Sequence, residues 1–200
     1  MTNKISHKYL PVFLSGFIDG LIVPLALYSF FNRISEQHYL AIQITFIGGF
    51  VMAILLGVGA YFTRKAEIEN TGERKLLEIY SGLGISASTQ QQMAEDTISE
   101  QQKWQEEWQG ADNAALGLTP KTYAIIICTG YVAGLLLVLL NAYIWPVKNL
   151  SFLIVPVFIL GLAGFLKYKI ANQNPVAGML TVCISGMIAA LANWLVAGLF

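Results

Sequence analysis

Five long apolar runs, at residues 9–31, 39–62, 122–145, 150–166 and 176–199, leave this chain few folds to choose from. A helix rises about 1.5 Å per residue and the hydrocarbon core of a bilayer is about 30 Å thick, so about 20 apolar residues cross it. Each run meets that length or comes close. Lipid gives a free backbone no hydrogen-bond partner, so a spanning segment is a helix or a strand of a closed barrel. Unbroken apolar runs exclude the alternation of a barrel strand. The sequence therefore predicts an all-α integral membrane protein with five transmembrane helices. Composition agrees: 56% of the residues are hydrophobic and 12% charged, against about 25% charged in an ordinary soluble domain. The mean hydropathy is +0.59. The first run is too long for the core of a signal peptide and no small-residue cleavage site follows it, so it is expected to remain as an anchor.

The charges are segregated. Every Asp and Glu except Asp19 and Glu36 falls between Glu67 and Asp112. Three segments follow: 1–62 with spans one and two, 63–121 as an acidic, water-exposed helical insert, and 122–200 with spans three to five. Lys and Arg are retained on the cytoplasmic side of a membrane. With the N-terminus cytoplasmic, that side holds Lys4, Lys8, Arg64, Lys65, Arg74, Lys75, Lys103, Lys121, Lys167 and Lys169, and the other only Arg33 and Lys148. The N-terminus and the insert are thus expected in the cytoplasm and Phe200 on the far side. Both cysteines, Cys128 and Cys183, fall within runs, which implies no disulfide framework and favours packing as small apolar groups.

The insert has its own pattern. No Gly or Pro stops the second helix after Phe62 until Gly72, so it is expected to run on through residues 64–68. A short helix is expected over 73–80, ended by Gly82 and Gly84. A third starts from a Ser86 or Ser88 cap and continues to about Gln109. Such a three-helix insert is too small to bury much core alone. Its acids, among them Glu67, Glu69, Glu73, Glu78, Glu106, Glu107 and Asp112, outnumber its bases. Hard oxygen ligands suit divalent Mg, Ca, Mn and Fe(II), and no His or Cys lies in the insert. Solvated helix faces explain the same acids equally simply.

Asp19 stands in the middle of the first run. A carboxylate there costs at least about 2.5–3.5 kcal/mol on insertion scales, so it normally faces a polar cavity, a partner or an ion path. Gly16 and Gly20 beside it have the small-xxx-small spacing that lets helix backbones touch, and Gly130 and Gly134 repeat it. Pro24 removes the donor that would bond the Gly20 carbonyl, which leaves either a free oxygen near Asp19 or a kink. Asn193 lies deep enough in the last run to bond another helix. Gln43 and Asn141 lie near run ends.

These residues together resemble the vacuolar iron transporter family. The likeness is carried by Gly16, Asp19, Gly20 and Leu21, by Gly59 and Tyr61, by Glu78-Ile79-Tyr80 and Gly84-Ile85-Ser86 with the later Trp104, and by Gly186, Ala189 and Ala190. The resemblance implies a homodimeric exporter of divalent Fe(II), and often Mn(II), in exchange for protons. It implies the metal at Asp19 in mid-membrane and cytoplasmic glutamates that gather it. Two copies of Asp19 facing each other would let protons and metal compete. The metal is then substrate, with no resident cofactor, and the partners are lipid, protons and a second copy, with no nucleic acid. The membrane is the inner one in a bacterium and a vacuolar or other endomembrane in a eukaryote.

The chain also departs from that family. Ile18 stands where the family has Asn, and Leu56 and Ala60 where it has a Met and a Glu of the second span. Trp108 and Gln109 replace two methionines. Met52 lies one turn earlier and reaches the path only in a rotated helix. Thioether sulfur separates Fe(II) from Mg and Ca, so selectivity is the property these losses touch. A non-transporting membrane protein whose insert senses or buffers metal, or docks a partner through Trp104 and Trp108, is the other reading. Enzyme chemistry is not expected, because no Ser, His and Asp or Cys and His set converges and no phosphate loop is present. His7 and His38 are read as lying outside the spans.

Overall fold

The computed structural model describes residues 3–70, 89, 93, 96, 118–146 and 150–199. Among them are five α-helices: α1 (Asn3–Ile34), α2 (His38–Asn70), α3 (Pro120–Ile144), α4 (Ile154–Ile170) and α5 (Pro175–Ala197). A single 3-10 turn, Leu150–Leu153, leads into α4. Five spans long and apolar enough to cross a membrane result, and no strand occurs among the described residues. The predicted extension of α2 past Phe62 is present to Asn70. Thr89, Met93 and Asp96 are helical and exposed. The remainder of the insert, with its expected helix over 73–80, lies outside the described residues.

The fourth run differs from expectation at both ends. Its first turn is 3-10 and its helix continues to Ile170 rather than stopping at 166. Pro156 occupies the first turn of α4, where an α-helix has free N–H groups and loses nothing to a proline. Past 166 the polar Lys167 and Lys169 simply extend the helix beyond its apolar part, and both lie in its last turn.

α1 is the centre of the bundle and packs against each of the other four helices. Its closest partner is α3. Gly16 and Gly20 face the backbone of Ile127 and Tyr131, while Gly130 and Gly134 face that of Phe13, Phe17 and Gly20. A methyl group at any of the four would strike the opposite backbone. Without a hydrophobic force between helices in lipid, such close approach is a main source of association. Leu21, Leu25, Tyr28, Val138 and Leu160 complete the core around this crossing. α4 and α5 form a second pair, in which Gly164 faces the Gly178 carbonyl and Gly178 faces the Tyr168 ring.

The outer face of α2 carries Phe46, Ile47, Phe50, Ile54, Val58 and Phe62, all exposed. In water such a face would drive association; against lipid tails it is already in its preferred solvent.

The turn between α4 and α5 satisfies its own backbone. Asn172 adopts a left-handed φ of 55°. Its N–H donates to the Lys169 carbonyl at 3.2 Å, and the Gln173 N–H donates to that of Tyr168 at 2.9 Å, the paired bonds of a Schellman ending. Asn174 then caps α5, its Oδ1 accepting from Val176 and Ala177 N–H at 3.1 and 3.3 Å, with Pro175 as the first helical residue.

Candidate functional site

From Pro11 to Arg33, α1 has one exposed residue, and it is Asp19. Its neighbours Ile18 and Gly20 are buried, because they turn toward the core and toward α3. The carboxylate thus emerges from an otherwise covered helix on the side that no other described helix occupies. Pro24, one turn further on, is buried, and α1 runs through it as continuous helix. The missing donor leaves the Gly20 carbonyl without its usual helical partner, one residue from Asp19.

Among the described residues, the Lys167 ammonium in the last turn of α4 and the Tyr131 hydroxyl on α3 lie within electrostatic reach of Asp19. Tyr131 is 1% exposed, and its hydroxyl has no hydrogen-bond partner among the described residues. Such an orphan costs about 1–3 kcal/mol and calls for a water or an ion. The sequence reading missed it. Its signal is a single phenol inside the Gly130-Tyr131-x-x-Gly134 segment that meets Gly20.

The second span contributes no donor at this depth. Ala53 is buried, and Leu56 and Ala60 pack into apolar clusters with Tyr131 and Ile127 respectively. Met52 is exposed on the outer side. Rotation toward the core is blocked by the register that buries Gly49, Ala53 and Arg64.

Where α2 leaves the apolar zone, Arg64 is only 5% exposed, and its guanidinium donates to Glu67 at 2.8 Å. Glu67 is exposed. Glu69 stands on the last turn of α2, but its side chain is outside the described residues, as are Glu73, Glu78, Glu106, Glu107 and Asp112. Among the described residues no three His, Cys, Asp or Glu side chains come together as a metal cluster.

Other expected roles resolve locally. Among the described residues Asn193 bonds its own helix rather than another: its amide donates to the Ala189 carbonyl at 2.9 Å, the back-bond that a polar side chain in lipid finds at least cost. Asn141 donates to the Phe152 carbonyl at 3.0 Å. Cys128 and Cys183 are free. A lateral hollow of about 620 Å³ between α4 and α5, lined by Leu153, Val157, Met179, Cys183 and Met187, is almost wholly apolar, with only sulfur among its side-chain donors.

No curated protein sequence matches the chain. The sequence profile of the VIT family matches residues 61–198, a stretch that begins near the end of α2's apolar zone and takes in the insert and the last three spans. α1 and Asp19 precede it. With well over half of its length inside that match, the chain belongs to the VIT family.

Proposed function

We propose that this protein carries divalent metal, Fe(II) or Mn(II), out of the cytoplasm in exchange for protons, with Asp19 as the mid-membrane ligand. Family membership supports membrane metal-ion transport in general. The more specific reading rests on one observation: the only exposed residue along the covered length of α1 is a carboxylate. Against hydrocarbon that carboxylate would cost at least about 2.5–3.5 kcal/mol. A second copy that brings its own Asp19 opposite the first supplies a second carboxylate, and a cation or proton held between the two offsets that cost. Two carboxylates sharing one site bind a divalent cation or protons, but not both fully, which couples the two.

In this reading residues 63–121 form a cytoplasmic vestibule. Glu67, Glu69, Glu73, Glu78, Glu106, Glu107 and Asp112 gather cations there and pass them toward Asp19. Oxygen ligands without sulfur favour hard cations and give weak discrimination among them.

The test is uptake of Fe(II) or Mn(II) into proteoliposomes across a pH gradient, comparing wild type with Asp19→Asn. Loss of uptake with retained folding is expected, and undiminished uptake by the variant refutes the reading. The apolar packing of Leu56 and Ala60 favours a second reading, a non-transporting membrane protein whose insert buffers metal or docks a partner. Metal binding without flux in the wild type would select it.

A further inference from the structure

Of the five methionines and two cysteines in the chain, three border one hollow. Met179, Cys183 and Met187 follow one another at four-residue steps along α5 and line the space between it and α4. Side chains four apart on a helix share a face, with Cβ atoms about 5–6 Å apart, so the three form a single row. Gly161 of α4 makes the opposite wall. A Cβ built on it would lie 3.0 Å from the Cys183 Sγ, 3.5 Å from the Met179 Cγ and 3.9 Å from the Met179 Cε. The Met179 sulfur is bonded to both of those carbons, so thioether and thiol flank the same point. The rest of the lining is Leu, Ile, Val and Phe, and sulfur is the only side-chain donor in it.

A methionine in a helix is ordinarily packing material. These two are not used that way: Met179 is 41% and Met187 43% exposed, and they border the hollow instead of filling it. An unbranched thioether with three rotatable bonds can swing its sulfur across such a space. Cys183 is half-buried, and its thiol donates to the Val157 carbonyl at 3.5 Å. A thiol is a weak donor, and that carbonyl also faces the N–H of Gly161 one helical turn on. The thiol can therefore leave it without stranding an acceptor.

Charge decides which ion suits this row. A metal binds the thiolate, so the thiol proton is lost on binding. For a monovalent ion the balance is Cu(I) plus R–SH giving R–S–Cu(I) plus a proton that passes to bulk water, with no electron transferred. One thiolate, two neutral thioethers and one Cu(I) sum to zero charge, so the filled site sets no net charge against hydrocarbon. A divalent ion on the same three ligands keeps a positive charge, and a charge inside a span is expensive. Ligand softness points the same way, because thiolate and thioether select Cu(I) while Mg, Ca and Mn suit oxygen.

We propose that the hollow between α4 and α5 is a soft-metal site, in which Met179, Cys183 and Met187 hold one Cu(I) ion. The site uses no residue of the path proposed for divalent metal and stands whether or not the protein moves such metal.

The test uses the full-length protein in lipid nanodiscs under anaerobic conditions, with Cu(I) buffered by a coloured chelator. Binding of Cu(I) in competition with the chelator is expected, and X-ray absorption should show a shell of sulfur alone. Cys183→Ala, Met179→Leu and Met187→Leu should each weaken binding at least about tenfold, since even changes outside a metal's own ligands cost about 10–100-fold. Leucine keeps close to the volume of methionine, so the two methionine variants decide the matter even where Cys183→Ala fails to fold. Cys128→Ala and Met52→Leu, whose sulfurs lie outside the hollow, should keep the parent affinity. In Cys128→Ala, Ag(I), an ion of the same charge and similar softness, should shield Cys183 from an apolar maleimide. Protein that yields all its Cu(I) to the chelator overturns the proposal, and a hollow that takes only lipid chains gives that result. So does oxygen or nitrogen in the shell of the metal, or parent affinity in both methionine variants.

Discussion

The contact between α1 and α3 makes a quantitative prediction at Gly20. A Cβ built there lies 2.6 and 2.7 Å from the Cα and carbonyl carbon of Tyr131 and closer still to the carbonyl oxygen. The obstacle is main chain on a packed helix, so no rotamer change relieves it. Restoring ordinary contact requires the helices to part by about 1 Å, and a gap of that size forfeits about a quarter to a half of each contact along the crossing. Overpacking of this kind costs about 1–3 kcal/mol, and Gly20→Ala is expected within that range. Gly59→Ala is the control, because nothing lies within 4 Å of its added methyl. It should be neutral or stabilise by up to about 1 kcal/mol, the helix-propensity gain of Ala over Gly. The assay is reversible unfolding in mixed micelles of a mild detergent and dodecyl sulfate, followed by helical circular dichroism. Equal midpoints for Gly20→Ala and the wild type would refute the claim that the two backbones touch; equal losses at Gly20 and Gly59 would refute the difference in surroundings.

Arg33→Ala removes a bond to a main-chain carbonyl and a ring contact with Trp194, and should cost about 2 kcal/mol, from the usual worth of a charged hydrogen bond; Arg33→Lys should recover only part, both read by the same unfolding assay. Glu67→Gln breaks the pair with Arg64; because Glu67 is exposed, stability should fall by less than about 1 kcal/mol, so a several-fold loss of metal uptake in a normally folded variant would mark Glu67 as a ligand. Asn172→Ala should cost about 1–2 kcal/mol, the penalty of a Cβ in the left-handed region without a local polar group, and Asn172→Gly should be neutral; a cost from glycine equal to that from alanine would contradict the turn geometry.

The spans were legible because a lipid-crossing helix is encoded locally, in an unbroken apolar run. The extension of α2 was legible for the same reason, since no helix breaker stands before Gly72. The start of α4 was not: run length alone does not say that the turn before Pro156 is 3-10. Asp19 could be singled out by its depth, but its exposure depends on which faces of α1 its neighbours cover. No local pattern carries that information. His38 was read only as lying outside the spans; its contacts with Tyr28, Asn32 and Ala142 form only in the folded chain, where helix ends converge. Asn193 was expected to reach another helix, yet a carbonyl one turn back on its own helix satisfies it. The glycine pairs were visible, although spacing could not tell that each pair is the other's partner.

The four-residue turn joining α4 and α5 bears on how the protein is made. Its caps need no help from the rest of the bundle, and the glycines that seat α5 on α4 lie within the same stretch of chain. As the polypeptide leaves the ribosome, this pair can therefore close into a hairpin and enter the bilayer as one unit. Lys167 and Lys169 end α4 and immediately precede the turn, so if the positive-inside rule places this end in the cytoplasm, the charges that decide it are translated before α5 begins. On that topology, reversing the two charges is expected to disturb insertion of the hairpin.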